Sequence, residues 1–196
     1  MLRCANPRRR GAYSDLLLFL KGWRMTNSDI LFTINSGLDL LAPSFRSKEA
    51  MLLMAAIGLQ ESKFLERRQL IAKDGKLVPE GPAVSFWQFE EGSSTSKGGV
   101  WGVLNHFRVG PIAKAVCDKL GVAPTASSVW KAMQTNDALG AAMARLLIYA
   151  DPKKLPTIGD SESAWDLYAN RAWRPGKPHK ATWPQNYARA REIVGA

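Results

Sequence analysis

The sequence is poor in cysteine and histidine, the residues that build most disulfide frameworks and structural zinc sites. Its 196 residues include two of each: Cys4, Cys117, His106 and His179. None of these residues stands at a spacing typical of a zinc site. We therefore expect no bound metal, no other cofactor and no disulfide framework, and only a single Cys4–Cys117 bond remains open.

Long apolar runs are also absent. No stretch approaches the ~20 apolar residues that a membrane-spanning helix needs, so we expect no stable membrane insertion. Near the N-terminus, Leu16–Leu20 follows a basic segment, but a secretory signal usually has about 7–15 apolar residues and a small-residue cleavage site. The segment is therefore a weak secretory signal at best, and Met25 is a candidate start. Residues 1–24 would then be a basic, loosely held extension of one domain formed by 25–196.

Acidic residues are few relative to basic ones, at 17 against 27, so the net charge is +10. Residues 1–24 contain six basic residues and one acidic residue, which is half of that net charge. Such a chain favours anionic partners, namely nucleic acid, an anionic cell wall or a lipid surface; the charge can also serve solubility alone. The sequence contains no helix-turn-helix, zinc-finger or RNA-recognition signature, and we therefore expect no nucleic-acid partner.

Two helices are predicted in the first third of the chain. Apolar residues at helical spacing between Leu31 and Leu41 indicate the first. The second, with the sequence KEAMLLMAAIGLQES, has Ser47 as its expected N-cap. It is apolar on nearly all sides, so we expect it to be buried. The candidate N-caps of the first helix are Asn27, Ser28 and Asp29.

After the second predicted helix, the sequence changes from a helical pattern to one with turn signals and a short strand. Asp74-Gly75 is a turn signal, and Leu77-Val78 can form a short strand, which predicts a small β-hairpin or ordered loop. EEGSSTSKGGVWG then predicts a Gly/Ser loop. The predicted fold class is mostly α (α+β), a helical domain with a small β excursion. The later predicted helices cover residues 110–120, 125–133, 136–150, 160–170 and 183–194.

One carboxylate ends an apolar run. In AAIGLQESKFLERRQ, residues 55–69, Glu61 follows the most hydrophobic part of the second predicted helix. One interpretation is a helix that ends by chance in polar residues at the surface. The other is an acid held at the edge of the core, with Phe64 and Trp87 as apolar walls. Burial raises the pKa of a carboxylic acid, as a general acid working near neutral pH requires.

Two further stretches combine aromatic and polar residues. In SFWQFEEG, Gln88 stands among aromatic residues and Glu90 follows. This pattern suits sugar rings, which have apolar faces and hydrogen-bonding hydroxyls, but it also fits a hairpin return strand with Phe86 and Gln88 alternating with Trp87 and Phe89. The segment 168–190 mixes aromatic and basic residues, which suits stacking beside anionic groups. It includes Tyr168, Asn170 and Trp173.

Taken together, these motifs resemble the lysozyme-like lytic transglycosylases, most closely the phage-encoded cell-wall lysins of that superfamily. In that family a helix ends in Glu-Ser with an aromatic residue two positions later, as Glu61-Ser62 and Phe64 do here. A Gly-Leu-Met-Gln-type segment follows, which 85–88 matches with Ser in place of Gly. A late Tyr-Asn motif is matched approximately, because Asn170 does not directly follow Tyr168. The resemblance covers roughly residues 47–190 and implies a lysozyme-like fold.

The resemblance implies cleavage of the β-1,4 bond between N-acetylmuramic acid and N-acetylglucosamine in peptidoglycan. Glu61 would act first as acid and then as base, and a 1,6-anhydro sugar would form. Ser62 would hold the site through local hydrogen bonds. The residues implied to bind substrate or shape its site are Ser62, Phe86, Trp87, Gln88, Glu90, Tyr168, Asn170 and Trp173.

Several alternatives remain open at this level. A hydrolytic muramidase would use a second carboxylate such as Glu90, and a wall-binding or virion protein could keep the fold without activity. The resemblance implies a phage-encoded monomer that is made in the host cytoplasm and acts on the cell wall or in the periplasm, or that is carried by the virion. A bacterial periplasmic enzyme is the other possible source.

Overall fold

A computed structural model of the protein describes residues 25–196. The basic segment 1–24 and Cys4 lie outside the described residues, and so do the predictions made for them. Within 25–196 the fold has eight α-helices and one two-stranded antiparallel sheet, which confirms the mostly-α prediction. None of these helices has both the length and the hydropathy needed to cross a membrane.

The elements follow the predicted order closely. The hairpin pairs β1 (Ile71–Lys73) with β2 (Lys76–Val78), in the register Ile71 opposite Val78. Short 3₁₀ turns occupy Pro43–Phe45 and Lys180–Thr182, and Leu167–Ala172 forms a π-helical turn. The α-helices are α1 (Asn27–Leu38), α2 (Lys48–Glu61), α3 (Gly99–Asn105), α4 (Gly110–Lys119), α5 (Ala126–Ala132), α6 (Asp137–Ala150), α7 (Ser161–Asp166) and α8 (Trp183–Val194).

The N-caps of the first two helices are set by local hydrogen bonds. The N-cap of α1 is Thr26, not one of the three residues that follow it. Asp29 instead completes a capping box, in which its carboxylate accepts the Thr26 N–H at 2.8 Å. The N-cap of α2 is Ser47, as predicted, and its hydroxyl oxygen accepts the Ala50 N–H at 3.1 Å.

Helix α2 lies at the centre of the core. All residues from Leu52 to Leu59 are buried, which confirms the expectation from its uniformly apolar sequence. It packs mainly against α8, while α1 packs mainly against α6. A helix surrounded in this way delivers its last residue, Glu61, to the edge of the core.

Helix α3 was not predicted, since its sequence lies in the stretch assigned to a Gly/Ser loop. The helix forms where the chain returns to residues 90–92, and the Val100 N–H donates to the Glu90 carbonyl at 3.0 Å. The approach requires glycine: a Cβ at Gly99, whose φ is +60°, would lie 2.3 Å from that carbonyl oxygen. Gly99 therefore allows the start of α3 to lie directly against the segment 90–92.

Candidate active site

Glu61 is the last residue of α2, and it is partly buried, at the edge of the core. Its Oε1 accepts a hydrogen bond from the Tyr168 hydroxyl at 2.9 Å. Burial raises the pKa of Glu61 to about 7, against the lowering effect of that hydrogen bond. The carboxyl group can therefore both give and take a proton near neutral pH, as the buried-acid interpretation predicted.

Tyr168 is held rigidly behind Glu61. It lies in the π-helical turn, and its ring stacks on Trp183 with a centroid distance of 5.3 Å and an interplanar angle of 8°. Trp183 is fully buried, and its indole N–H donates to the Ser161 carbonyl at 3.0 Å. Burial and the adjacent Glu61 raise the pKa of Tyr168, so its hydroxyl stays protonated and remains a donor.

Ser62 connects the end of α2 to the segment 85–88. Its hydroxyl donates to the Phe86 carbonyl at 2.7 Å and accepts the Phe64 N–H at 3.1 Å. Ser62 does not line the cleft described below, so it positions the site without offering its side chain to a ligand there. The expected local hydrogen bonding is confirmed, and direct substrate contact is not supported.

The segment 85–88 is a tight turn, so the hairpin return strand was a wrong interpretation. Val84 and Phe89 exchange backbone hydrogen bonds of 2.9 and 2.7 Å across it. Ser85 and Gln88 both have positive φ, at 64° and 51°, which a strand does not accommodate. The side chains of this segment consequently do not alternate between two faces.

Phe86 and Trp87 are core residues, which corrects their expected role in stacking on substrate. They are 1% and 0% exposed. The Trp87 indole N–H donates to the Met54 carbonyl at 2.8 Å, and Phe64 packs against both rings, with centroid distances of 5.4 and 5.5 Å. With no free ring face, they can only fix the turn against α2.

A cleft of about 650 Å³ opens beside Glu61. It brings together Glu61, Gln88, Glu90 and Trp173, four of the residues predicted from the sequence. Trp173 is partly exposed and packs edge-on against Phe89 at 5.0 Å, so one aromatic surface remains for a ligand. The cleft is also lined by Gln69, Ala83, Gly92, Ser96, Gly98, Gly99, Leu147, Arg174, Pro175 and Gly176.

The polar residues predicted for the site differ in whether their side chains can still bind a ligand. The Gln88 amide nitrogen donates to the Ser85 carbonyl at 2.9 Å, which leaves its amide oxygen for a ligand. Glu90 is exposed to solvent. Asn170 does not line the cleft, because its amide donates to Asp166 at 2.9 Å on the outer surface. The cleft therefore gives no support to the expected substrate contact by Asn170.

Sequence reasoning did not identify Gln60, the neighbour of Glu61. Its amide nitrogen donates to the His179 carbonyl and the Thr182 hydroxyl, both at 3.0 Å. Its amide oxygen accepts from the Asn186 side chain at 2.7 Å. These bonds fix the last turn of α2 against α8 and so position Glu61. The sequence did contain a signal for Gln60, since it is a polar residue next to the acid at the end of an apolar helix.

The described part of the chain contains no cluster of three or more His, Cys, Asp or Glu residues that could hold a metal ion. Comparisons with protein-family models, curated proteins and solved structures found no match to this chain. Function is therefore inferred from the arrangement of Glu61, Tyr168 and the cleft.

Proposed function

We propose that the protein cleaves the β-1,4 bond between N-acetylmuramic acid and N-acetylglucosamine in peptidoglycan, as a lytic transglycosylase. The observation that carries the proposal is the carboxyl group of Glu61. It lines a cleft, has a pKa of about 7 and is oriented by the hydroxyl of Tyr168. A lone acid of this kind suits a reaction that needs proton donation and proton removal by the same group.

The residues that line the cleft are of the kinds that bind glycans. It offers an aromatic surface at Trp173, an amide at Gln88 and a wall formed partly by glycines, which lets a bulky strand approach the backbone. The net charge of +10 suits a wall that carries anionic groups. Peptidoglycan strands are the proposed partner, bound by a monomer. The setting implied by the resemblance, a phage protein acting on the cell wall, belongs to the same proposal.

In the first step, protonated Glu61 gives its proton to the glycosidic oxygen as the bond between that oxygen and C1 breaks. The carbonyl oxygen of the substrate's own 2-acetamido group bonds to C1 and stabilises the developing charge. Because Oε1 is bonded to Tyr168, Oε2 is the oxygen that transfers the proton. The Tyr168 hydrogen bond then stabilises the carboxylate that this step creates.

In the second step, the Glu61 carboxylate removes the proton of the 6-hydroxyl group. The freed oxygen attacks C1 and displaces the acetamido oxygen, so a 1,6-anhydro ring closes and the acid is regenerated. No water is consumed and no second enzymic carboxylate is needed.

One observation favours a second candidate, a hydrolytic muramidase. Glu90 lines the same cleft as Glu61, and its carboxylate could activate water or attack C1. A retaining enzyme places its two carboxyl groups about 5–5.5 Å apart, and an inverting enzyme about 6.5–9.5 Å apart. Glu90→Gln would abolish hydrolysis but leave transglycosylation largely intact.

Digestion of purified peptidoglycan tests the proposal. Mass spectrometry should find muropeptides with 1,6-anhydro ends, which are one water lighter than hydrolysed ends. Glu61→Gln, which keeps the shape of the side chain but cannot transfer a proton, should release none. Hydrolysed ends would establish the muramidase instead. Equal activity of the wild type and Glu61→Gln would remove Glu61 from the chemistry, and inactivity of both would indicate a silent wall-binding protein.

A further inference from the structure

The cleft does not end at Trp173. A second chamber of about 340 Å³ adjoins the first and shares Trp173, Arg174 and the glycines at the start of α3 with it. A strand lying across Glu61 therefore has a side branch of the cleft available near the site of cleavage. The chamber is also lined by Lys97, Gly102, Val103, His106, Leu147, Ala150, Asp151, Pro152, Arg171 and Ala172.

The two parts of the cleft differ in charge. The first part contains the carboxyl groups of Glu61 and Glu90 and one basic side chain, that of Arg174, which the two parts share. The second contains three basic side chains, those of Lys97, Arg171 and Arg174, and one carboxylate, Asp151. A ligand that spans both parts thus meets acids at one end and an excess of positive charge at the other.

The single carboxylate of the second chamber is already neutralised. Asp151 is bonded to the Arg171 guanidinium, and its side chain is only 4% exposed. Arg171 also pairs with Asp166 at 2.9 Å. By contrast, neither Lys97 nor Arg174 has a carboxylate within ion-pair distance among residues 25–196. Two cations are consequently left for a ligand.

The backbone holds both cations at defined places. The Lys97 N–H donates to the Ser93 carbonyl at 2.8 Å, and the Arg174 N–H donates to the Tyr168 carbonyl at 2.9 Å. Arg174 is thereby anchored to the residue that orients Glu61. Both adopt positive φ, at 52° and 51°, a conformation that is unfavourable for residues with a Cβ. Each of these side chains therefore extends from a backbone-bonded turn at the cleft and is exposed to solvent.

We infer that Lys97 and Arg174 bind an ionised carboxylate of the peptide stem attached to muramic acid, while the neighbouring glycosidic bond lies at Glu61. This inference rests on the proposed function and specifies its substrate as peptide-bearing glycan. The stem is the anionic branch of a peptidoglycan strand, and the second chamber is the basic branch of the cleft. Ion pairing of this kind is weakened by salt.

The test compares intact glycan strands with the same strands stripped of their stems by an amidase. Lys97→Gln with Arg174→Gln should lower kcat/KM on intact strands on the order of tenfold, because each partly exposed ion pair contributes modestly. The double variant should lose much less kcat/KM on stripped strands, so the ratio of kcat/KM on intact strands to kcat/KM on stripped strands should fall. The wild type's preference for intact strands should decline with added salt, and the double variant should show no such dependence.

A matched control is Lys114→Gln with Lys131→Gln, which removes the same charge from exposed positions outside both chambers. It should leave the preference for intact strands unchanged. Equal losses on both substrates, or no loss on either, would overturn the inference while the Glu61 chemistry stands. Failure of the wild type to cleave either substrate would overturn the proposed function and this inference with it.

Discussion

Replacing Tyr168 with phenylalanine is expected to raise the pKa of Glu61 and shift the active pH range upward. The substitution removes the hydroxyl group that lies 2.9 Å from Oε1 but keeps the ring that stacks on Trp183. A hydrogen bond to a charged group contributes about 1.5–3 kcal/mol, and one pKa unit corresponds to about 1.4 kcal/mol. The pKa of Glu61 should therefore rise by about 1–2 units.

The direction of the pH shift follows from the role of Glu61 as the acid in the first step. Glu61 must be protonated to donate, so kcat/KM should fall as the pH rises through its pKa, which is about 7 in the wild type. In Tyr168→Phe this alkaline limb should move to higher pH by about 1–2 units. At pH 6, where both proteins hold the proton, any remaining rate difference reports the loss of orientation of the carboxyl group.

The assay is the release of muropeptides measured between pH 5 and 10. Tyr187→Phe is the matched control, because it also removes a buried tyrosine hydroxyl, one that accepts the Gly159 N–H at 3.2 Å and is not hydrogen-bonded to Glu61. Its alkaline limb should stay at the wild-type position. A limb that is unmoved or lowered in Tyr168→Phe would refute the role given to this hydrogen bond.

The remaining predictions concern stability and binding. Since the folded-state pKa of Glu61 is raised from 4.5 to about 7, the folded protein should lose stability as the pH rises between those values. Urea unfolding at pH 8 should thus find Glu61→Gln more stable than the wild type by about 3 kcal/mol, and the two alike at pH 4. Gly58→Ala should lower the free energy of unfolding by about 1–3 kcal/mol in the same assay. The added Cβ would lie 2.3 Å from Cζ of the Phe64 ring. Trp173→Leu should weaken binding of glycan strands by about 1 kcal/mol in calorimetry, through loss of the aromatic surface. Unchanged affinity would remove Trp173 from the substrate site.

Local sequence signals predicted most of the secondary structure. The N-cap at Ser47 and the apolar helix after it, and the Asp74-Gly75 turn of the hairpin, all act over a few residues. Helix α3 lacked such signals. Only seven residues long and started by glycines, it is supported by carbonyl groups from the segment 90–92. Its existence depends on a contact that no local pattern encodes.

The sequence also singled out Glu61, because a lone acid at the end of a buried helix is conspicuous in any chain. It could not orient the aromatic residues of the second motif. The alternation expected of a strand failed since Ser85 and Gln88 have positive φ and turn both Phe86 and Trp87 into the core.

What the amino-acid order determined by itself is every α-helix except α3 among residues 25–196, the small hairpin, the excess of positive charge and the position of one acid after an apolar run. Tertiary structure alone decided that this acid meets Tyr168, 107 residues away, beside a cleft with a basic side chamber. The physical reason is the sequence separation over which each interaction acts. Caps, turns and periodicity act through neighbouring residues, whereas a shifted pKa requires desolvation and hydrogen bonding by segments that only packing brings together.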